Sequence, residues 1–221
     1  MRRIDPIERT LTAKGIRDPR VLEAVRRVDR TRFVPPGSER LAGRDQAIAI
    51  PAGQLTTQPW RAARMCEALE LRGDERVLEI GTGYGYSTAL LAHLSRQVFS
   101  VERIPELVDA CRRHLAAFEN VRVVEGDGSL GLPEEAPFDA IIAFAAARDV
   151  PACLVEQLAE GGRMVLPLAV KGRGEIVLFR KTAGALTRVE VLIEARFVPL
   201  IGEHGAVRPP ETPVKSSDDD E

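Results

Sequence analysis

Along residues 75–144 the chain alternates between short runs of Val, Ile, Leu and Phe and longer stretches with apolar positions at helical spacing. The runs ERVLEI (75–80), QVFSVE (97–102), VRVVEG (121–126) and FDAIIAF (138–144) predict strands, with helices starting near Ser87 and near Pro105 between the first three. Strands this apolar, separated by helices, imply a mostly parallel sheet covered on both faces and joined by right-handed crossovers. Upstream, residues 5–15 and 18–28 carry Ile7, Leu11, Val21, Leu22, Val25 and Val28 at roughly helical intervals, which predicts two short helices parted at Gly15. Residues 32–43 form a turn-rich connection, 47–59 mostly loop, and 60–71 a third helix.

The pattern changes after residue 150. Residues 151–159 predict a helix stopped by Gly161-Gly162, followed by strand-like runs at 162–170, 174–182 and 185–200. Their short connections call for a hairpin and an antiparallel edge. The expected architecture is a doubly wound, Rossmann-like α/β sheet with an N-terminal helical extension. Its segments are 1–60 (helices and a substrate loop), 61–203 (cofactor-binding core) and 204–221, an acidic tail. Beyond Gly205, AVRPPETPVKSSDDDE has no apolar period and is expected to be disordered.

Composition narrows the function classes. Of 221 residues, 44% are hydrophobic, enough for one substantial core and too few for two ordinary domains. With 31 Lys and Arg against 33 Asp and Glu, the chain has no general field for nucleic acid or anionic membrane, and neither is an expected partner. No apolar window reaches membrane-spanning length and MRRIDPIERT lacks a signal-like apolar run, so a cytoplasmic protein is expected. Cys66, Cys111 and Cys153 are odd in number and form no CxxC pair; reduced, partly buried thiols are expected. His93, His114 and His204 are scattered, and no metal is expected. Few aromatics and no long apolar surface segment favour a monomer.

The candidate chemistry lies in VLEIGTGYGY (77–86), where Gly81, Gly83 and Gly85 follow the first strand of the repeat and precede a helix. Glycine there either adopts a backbone angle closed to other residues or lets a ligand approach the main chain. A strand–turn–helix of this kind implies a nucleotide-like cofactor. A dinucleotide turn has the spacing GxGxxG and faces a pyrophosphate. Here the spacing is GxGxG, and Glu79 precedes it. A carboxylate at that point repels a pyrophosphate and neutralises a cation, which fits S-adenosyl-L-methionine, a cationic adenosine compound without phosphate. Thr82 belongs to the same turn. Glu102, ending the next strand, is placed to accept both ribose hydroxyls, a device that NAD sites share, so an NAD-dependent oxidoreductase is the rival enzyme class. Asp127, in GDGS, is placed to meet the adenine amine, with Gly126 and Gly128 leaving room. The GxxxxGK[ST] pattern of nucleotide hydrolysis is absent.

With these pieces, the sequence resembles the protein-L-isoaspartate (D-aspartate) O-methyltransferases, a class I S-adenosylmethionine-dependent family. The resemblance runs over about residues 4–203. It rests on GIRDPRVLEAVRRVDRTRFVP (15–35), RDQAIAI (44–50), GQLTTQP (53–59), VLEIGTGYGY (77–86), EGDGSLGLPEEAPFDAII (125–142), LAEGGRMVLPL (158–168) and RFVPLIG (196–202). It implies methyl transfer to the α-carboxylate of isoaspartyl residues in damaged proteins, with S-adenosyl-L-homocysteine as product. It assigns the cofactor to Glu79, Gly81, Thr82, Gly83, Gly85, Glu102, Asp127 and Gly128, and catalytic placement to Thr57 and Asp45. RFVPL would help line the substrate groove. A carboxylate is ionised near neutral pH, so the reaction needs alignment and exclusion of water rather than a general base.

Departures from the family pattern lie on the substrate side. Ala52 stands where histidine is usual, Leu55 where threonine is common, Thr57 for serine, Phe144 for a small residue and Gly43 for an aromatic. Phe144 is expected to pack under the 53–59 loop; a second reading has it, or alternatively Trp60, fill the space left at Gly43. These changes keep three further readings open: an aspartyl methyltransferase tailoring a dedicated peptide, a methyltransferase with another substrate, and a non-catalytic cofactor-binding module.

Overall fold

The computed structural model describes residues 6–170 and 173–206. Most of the expected tail, residues 207–221, lies outside the described residues. Two helices open the chain, α1 (Pro6–Ala13) and α2 (Pro19–Arg27); Asp18 caps the second by accepting from the Arg20 N–H, with Pro19 in the first turn. The turn-rich connection holds a 3-10 turn (Arg30–Phe33) and the one-turn helix α3 (Glu39–Ala42). The expected loop contains a small antiparallel hairpin, β1 (Ala49–Ile50) with β2 (Gln54–Leu55), before α4 (Pro59–Ala68).

The repeat then runs β3 (Arg76–Ile80), α5 (Tyr86–Leu94), β4 (Gln97–Glu102), α6 (Pro105–His114), β5 (Val121–Glu125), β6 (Phe138–Ala143), α7 (Ala152–Gln157), β7 (Leu158–Val170), β8 (Arg173–Thr182) and β9 (Ala185–Glu194). The sheet order is β5-β4-β3-β6-β7-β8-β9, parallel through β7 and antiparallel at β8 and β9. The β3–β4–β5 and β3–β6 pairings diverge from β3, so a crevice opens at the carboxyl ends of β3, β4 and β6.

Alternation along the buried strands feeds two cores. Val77, Val98, Ala140, Ile142 and Val165 face a cluster shared with Leu11, Val21, Val25, Met65 and Leu90. Leu78, Phe99, Ile141, Met164 and Leu166 face a second one with Leu154. The N-terminal helices thus share the first sheet face with α4 and α5, while Val34, Ala42 and Ile48 form a small satellite cluster.

One expectation is corrected. Gly161-Gly162 does not end the helix, which stops at Gln157; both glycines lie inside β7. Gly161 has φ +77°, and between Phe138↔Leu158 and Ala140↔Arg163 the register of β6 and β7 shifts. The pair forms a bulge, the other structural use of glycine in a strand pattern.

Candidate active site

The turn after β3 takes the backbone form that only glycine enters freely: φ is +88° at Gly81, +55° at Gly83 and +92° at Gly85. At Gly83 an added Cβ would meet only Ile50 Cδ1 at 3.6 Å, so conformation rather than crowding by protein atoms requires glycine there. The turn borders a cavity of about 320 Å³ that is also lined by Thr57, Glu102, Gly128, Phe144 and Val198.

All three glycine amides are spent inside the protein. Gly81 N donates to Val101 O (2.9 Å), Gly83 N to Glu102 Oε2 (3.0 Å) and Gly85 N to Thr82 O (2.9 Å). None is left to cradle a phosphate, and one is occupied by a carboxylate. The inward use of these three amides, one of them on a carboxylate, fits a cationic adenosine compound better than a dinucleotide whose pyrophosphate needs glycine amides free. Glu102, 5% exposed, also accepts from Ile104 N at 3.0 Å, which fixes its carboxylate at the cavity wall. Each carboxylate oxygen keeps an acceptor position for a ribose hydroxyl.

Glu79 is placed differently from the sequence expectation. It does not line the cavity. It lies fully buried beneath the turn, accepting from Ser87 Oγ (2.7 Å), Thr88 Oγ1 (2.5 Å) and Ser100 Oγ (2.6 Å). Ser87 does line the cavity, so Glu79 reaches it through a hydroxyl rather than by contact. Thr82 lines the cavity too, with its Oγ1 2.6 Å from Ser100 Oγ. Burial pushes the Glu79 carboxyl up to about 7, against the lowering effect of its three hydroxyl donors.

This has a measurable consequence. Between about pH 4.5 and 7 the unfolded chain releases this proton while the folded chain keeps it. The contribution is therefore full below pH 4.5 and lost as pH rises to about 7. A shift of that size corresponds to about 3 kcal/mol. The expected melting temperature falls across this window, and Glu79→Gln flattens the fall. Persistence of the same slope in that variant would assign it to another group. The lowered carboxyls of Glu75 and Asp127 act at lower pH and with the opposite sign.

On the substrate side, Thr57 lines the cavity, and its hydroxyl has no hydrogen bond among the described residues. It does not cap the turn before Pro59. Asp45 does not line the cavity. Its Oδ1 accepts from Trp60 N (2.8 Å), capping α4 from outside the helix, and its Oδ2 accepts from Gln58 Nε2 (3.0 Å) and Lys14 Nζ (2.6 Å). Asp45 thus organises the loop and stands outside the cavity lining.

Arg30, which sequence reasoning missed, does the same from below. Its buried guanidinium donates to the carbonyls of Ala42 (3.2 Å), Arg44 (3.0 Å) and Gln46 (2.9 Å) and to Thr56 Oγ1 (3.1 Å). It lies over the Tyr86 ring at 5.4 Å. Thr56 Oγ1 in turn accepts from Ile48 N. In the sequence Arg30 is one arginine among many; only its 6% exposure singles it out.

Asp127 closes β5 as expected, but it too stands behind the lining. Its oxygens accept from Ser129 N and Oγ and from Glu203 N, while the neighbouring Gly128 lines the cavity. Burial alone would raise the Asp127 carboxyl; the Glu203 and Ser129 donors outweigh it and hold the group below its usual range. Phe144 packs with its Cβ 3.8 Å from where a Gly81 Cβ would stand and walls the cavity. Gly43 is exposed and nothing lies within 4 Å of a Cβ built on it, so neither Phe144 nor Trp60 packs into its place, and the compensation considered there is corrected. Trp60 instead donates from Nε1 to Lys14 O. All three cysteines are free, and among the described residues no cluster could hold a metal and no helix is long and apolar enough to cross a membrane.

A parallel sheet with this switch-point cavity, its glycine amides turned inward and acidic Glu102 at the wall, defines a class I S-adenosylmethionine-dependent methyltransferase. The comparisons narrow the class. The family pattern of Protein-L-isoaspartate(D-aspartate) O-methyltransferase matches residues 4–205, and the chain belongs to that family. It is 50% identical over 198 residues to a Protein-L-isoaspartate O-methyltransferase of Myxococcus xanthus, covering 87% of this chain and 93% of that one. It is 47% identical over 203 residues to Protein-L-isoaspartate O-methyltransferase 1 of an Anaeromyxobacter strain, covering 90% and 96%. A solved protein-L-isoaspartate O-methyltransferase superposes with a TM-score of 0.83 at 28% identity, over 92% of this chain and 67% of that one. A Plasmodium falciparum chain solved with S-adenosyl-L-homocysteine shares the fold, with a TM-score of 0.76 at 22% identity over 91% and 99%.

Proposed function

We propose that the chain transfers a methyl group from S-adenosyl-L-methionine to the α-carboxylate of isoaspartyl residues in polypeptides. The observation that carries the cofactor half is the inward use of the Gly81, Gly83 and Gly85 amides with the Glu102 carboxylate at the wall. Family membership supports the substrate half. The bound cofactor supplies an activated methyl on its sulfonium; the chain holds, orients and dries. Glu102 holds the ribose, the turn seats the rest, and Thr57 offers its free hydroxyl to the incoming carboxylate. No side chain need take a proton, which agrees with a cavity lined by no histidine. Leu55, 57% exposed, and Val198, 37% exposed, border the same cavity and give a polypeptide an apolar rim to lie on.

The deciding experiment compares methyl transfer to an isoaspartyl peptide and to its ordinary aspartyl twin. Preference for the isomer is expected; preference for ordinary aspartate in one particular peptide would replace repair by tailoring. Thr57→Val should lower kcat/KM for the isoaspartyl peptide about 10–100-fold, the worth of one hydrogen bond to a charged group. Cofactor affinity should stay unchanged, and Thr57→Ser should retain most activity. Equal rates in Thr57→Val and wild type would remove Thr57 from the site.

We further propose a cytoplasmic monomer. The free thiols suit a reducing compartment, and the open edge strand β9 carries Arg188, Glu190 and Glu194, charges that discourage edge pairing.

A further inference from the structure

The substrate-side wall of the cavity is formed in part by Val198, Pro199, Leu200 and Ile201, which follow the last strand and belong to no helix or extended strand. Something else must hold them in place. One end is tied to the chain after β6: Ala146 N donates to Val198 O (2.7 Å) and Leu200 N to Ala146 O (2.8 Å). The other end is tied to the turn after β5. Glu203 N donates to Asp127 Oδ2 (2.7 Å), and His204 N donates to Ser129 Oγ (3.0 Å). Ser129 Oγ donates in turn to Asp127 Oδ1 (2.7 Å), so one hydroxyl links both anchors. The approach is close: a Cβ on Gly202 would stand 1.9 Å from Asp127 Oδ1 and 2.5 Å from Ser129 Oγ. Ser129 is fully buried and does not line the cavity, so it touches neither cofactor nor peptide.

We propose that Ser129 is a positioning residue for the substrate: through its bonds to His204 and Asp127 it sets the 198–201 wall, so peptide binding depends on its hydroxyl while cofactor binding does not. This rests on the methyl-transfer function proposed above. Its physical basis is the asymmetry of the two fastenings. The Ala146 end is main chain to main chain and shared with the sheet. The 203–204 end closes on itself through Ala206 N to Leu200 O (2.7 Å) and is fastened to the turn after β5 by two side chains. Loss of one of them loosens the 200–206 loop, and with it Leu200 and Ile201 of the wall, while the glycine turn and Glu102, held by β3 and β4, stay where they are.

The test uses the full chain with Ser129→Ala and, independently, Gly202→Ala, which pushes the segment away from Asp127 and Ser129 while leaving both side chains in place. Wild type is first shown to methylate an isoaspartyl peptide; if it does not, the functional reading fails before this one is addressed. In Ser129→Ala the peptide KM should rise about tenfold, the loss of roughly one hydrogen bond's worth of placement. The S-adenosylmethionine dissociation constant by calorimetry should stay within about twofold, and Gly202→Ala should show the same split. A fall in kcat and melting temperature with an unchanged peptide KM would overturn the proposal, since that is what a merely structural serine produces. An equal loss of cofactor affinity would overturn it as well. Should Ser129→Ala not fold, an unchanged peptide KM in Gly202→Ala would overturn it.

Discussion

Replacing Glu102 by alanine should weaken S-adenosylmethionine binding by about 10²–10⁴-fold while leaving the protein folded. The carboxylate is expected to hold two ribose hydroxyls by charge-assisted bonds of about 1.5–3 kcal/mol each, together about 3–6 kcal/mol. The structure adds a second reason for a large effect. Glu102 also accepts from Gly83 N and Ile104 N, so its removal orphans an amide of the turn that the cofactor sits against. Glu102→Gln keeps one acceptor oxygen and should fall between alanine and wild type. Calorimetric titration checks both. Unchanged affinity in a folded Glu102→Ala protein would mean that the cofactor lies elsewhere in the cavity.

The second large effect is expected far from any reacting atom. Arg30→Met should lower kcat/KM for an isoaspartyl peptide by about 100-fold or more and destabilise the fold by about 2–4 kcal/mol. Cofactor affinity should change by only a few-fold. Removing the guanidinium takes a donor from the carbonyls of Ala42, Arg44 and Gln46 and from the Thr56 hydroxyl, leaving Arg44 O with Gln46 N and Thr56 Oγ1 with Ile48 N. The chain between residues 42 and 56 then loses the centre around which it is wrapped. Thr57 follows directly on Thr56, so its place in the cavity goes with the loop. The glycine turn is held by β3 and β4 and does not share this support. Arg30→Lys keeps the charge but offers three donors on a point rather than a planar fork, and only partial recovery is expected. Peptide kinetics, calorimetry and thermal melting together separate this from general unfolding. A normal kcat/KM in Arg30→Met would show that the loop orders without it.

Both residues bear on how much of the site was legible beforehand. Glu102 was legible because strand periodicity places it at a strand end, and the carboxyl end of a parallel strand is where ligands bind. The strands themselves were legible for the same local reason: apolar runs of five or six residues bounded by helical stretches leave little choice of element. The hairpin at 49–55 was not. Its strands are two residues each, too short for any period to show. The bulge at Gly161-Gly162 was mistaken for a helix stop because glycine serves both purposes and the local sequence does not say which.

Local chemistry along the chain was enough to establish an α/β sheet, a glycine turn that rejects phosphate, and the family whose motifs recur from residue 15 to residue 202. Each of these depends on contacts between near neighbours or on the type of residue alone. Folding settled the division of labour among the polar groups. Asp45 and Asp127 stand behind the cavity lining, their oxygens engaged with Trp60, Gln58 and Lys14 in one case and with Ser129 and Glu203 in the other. Glu79 points beneath the turn, and Arg30 and Ser129 emerge as organisers. Many of these roles follow from which donor meets which acceptor across as many as 76 residues of chain. Burial makes an unpaired group costly, and no local pattern records how that cost is met.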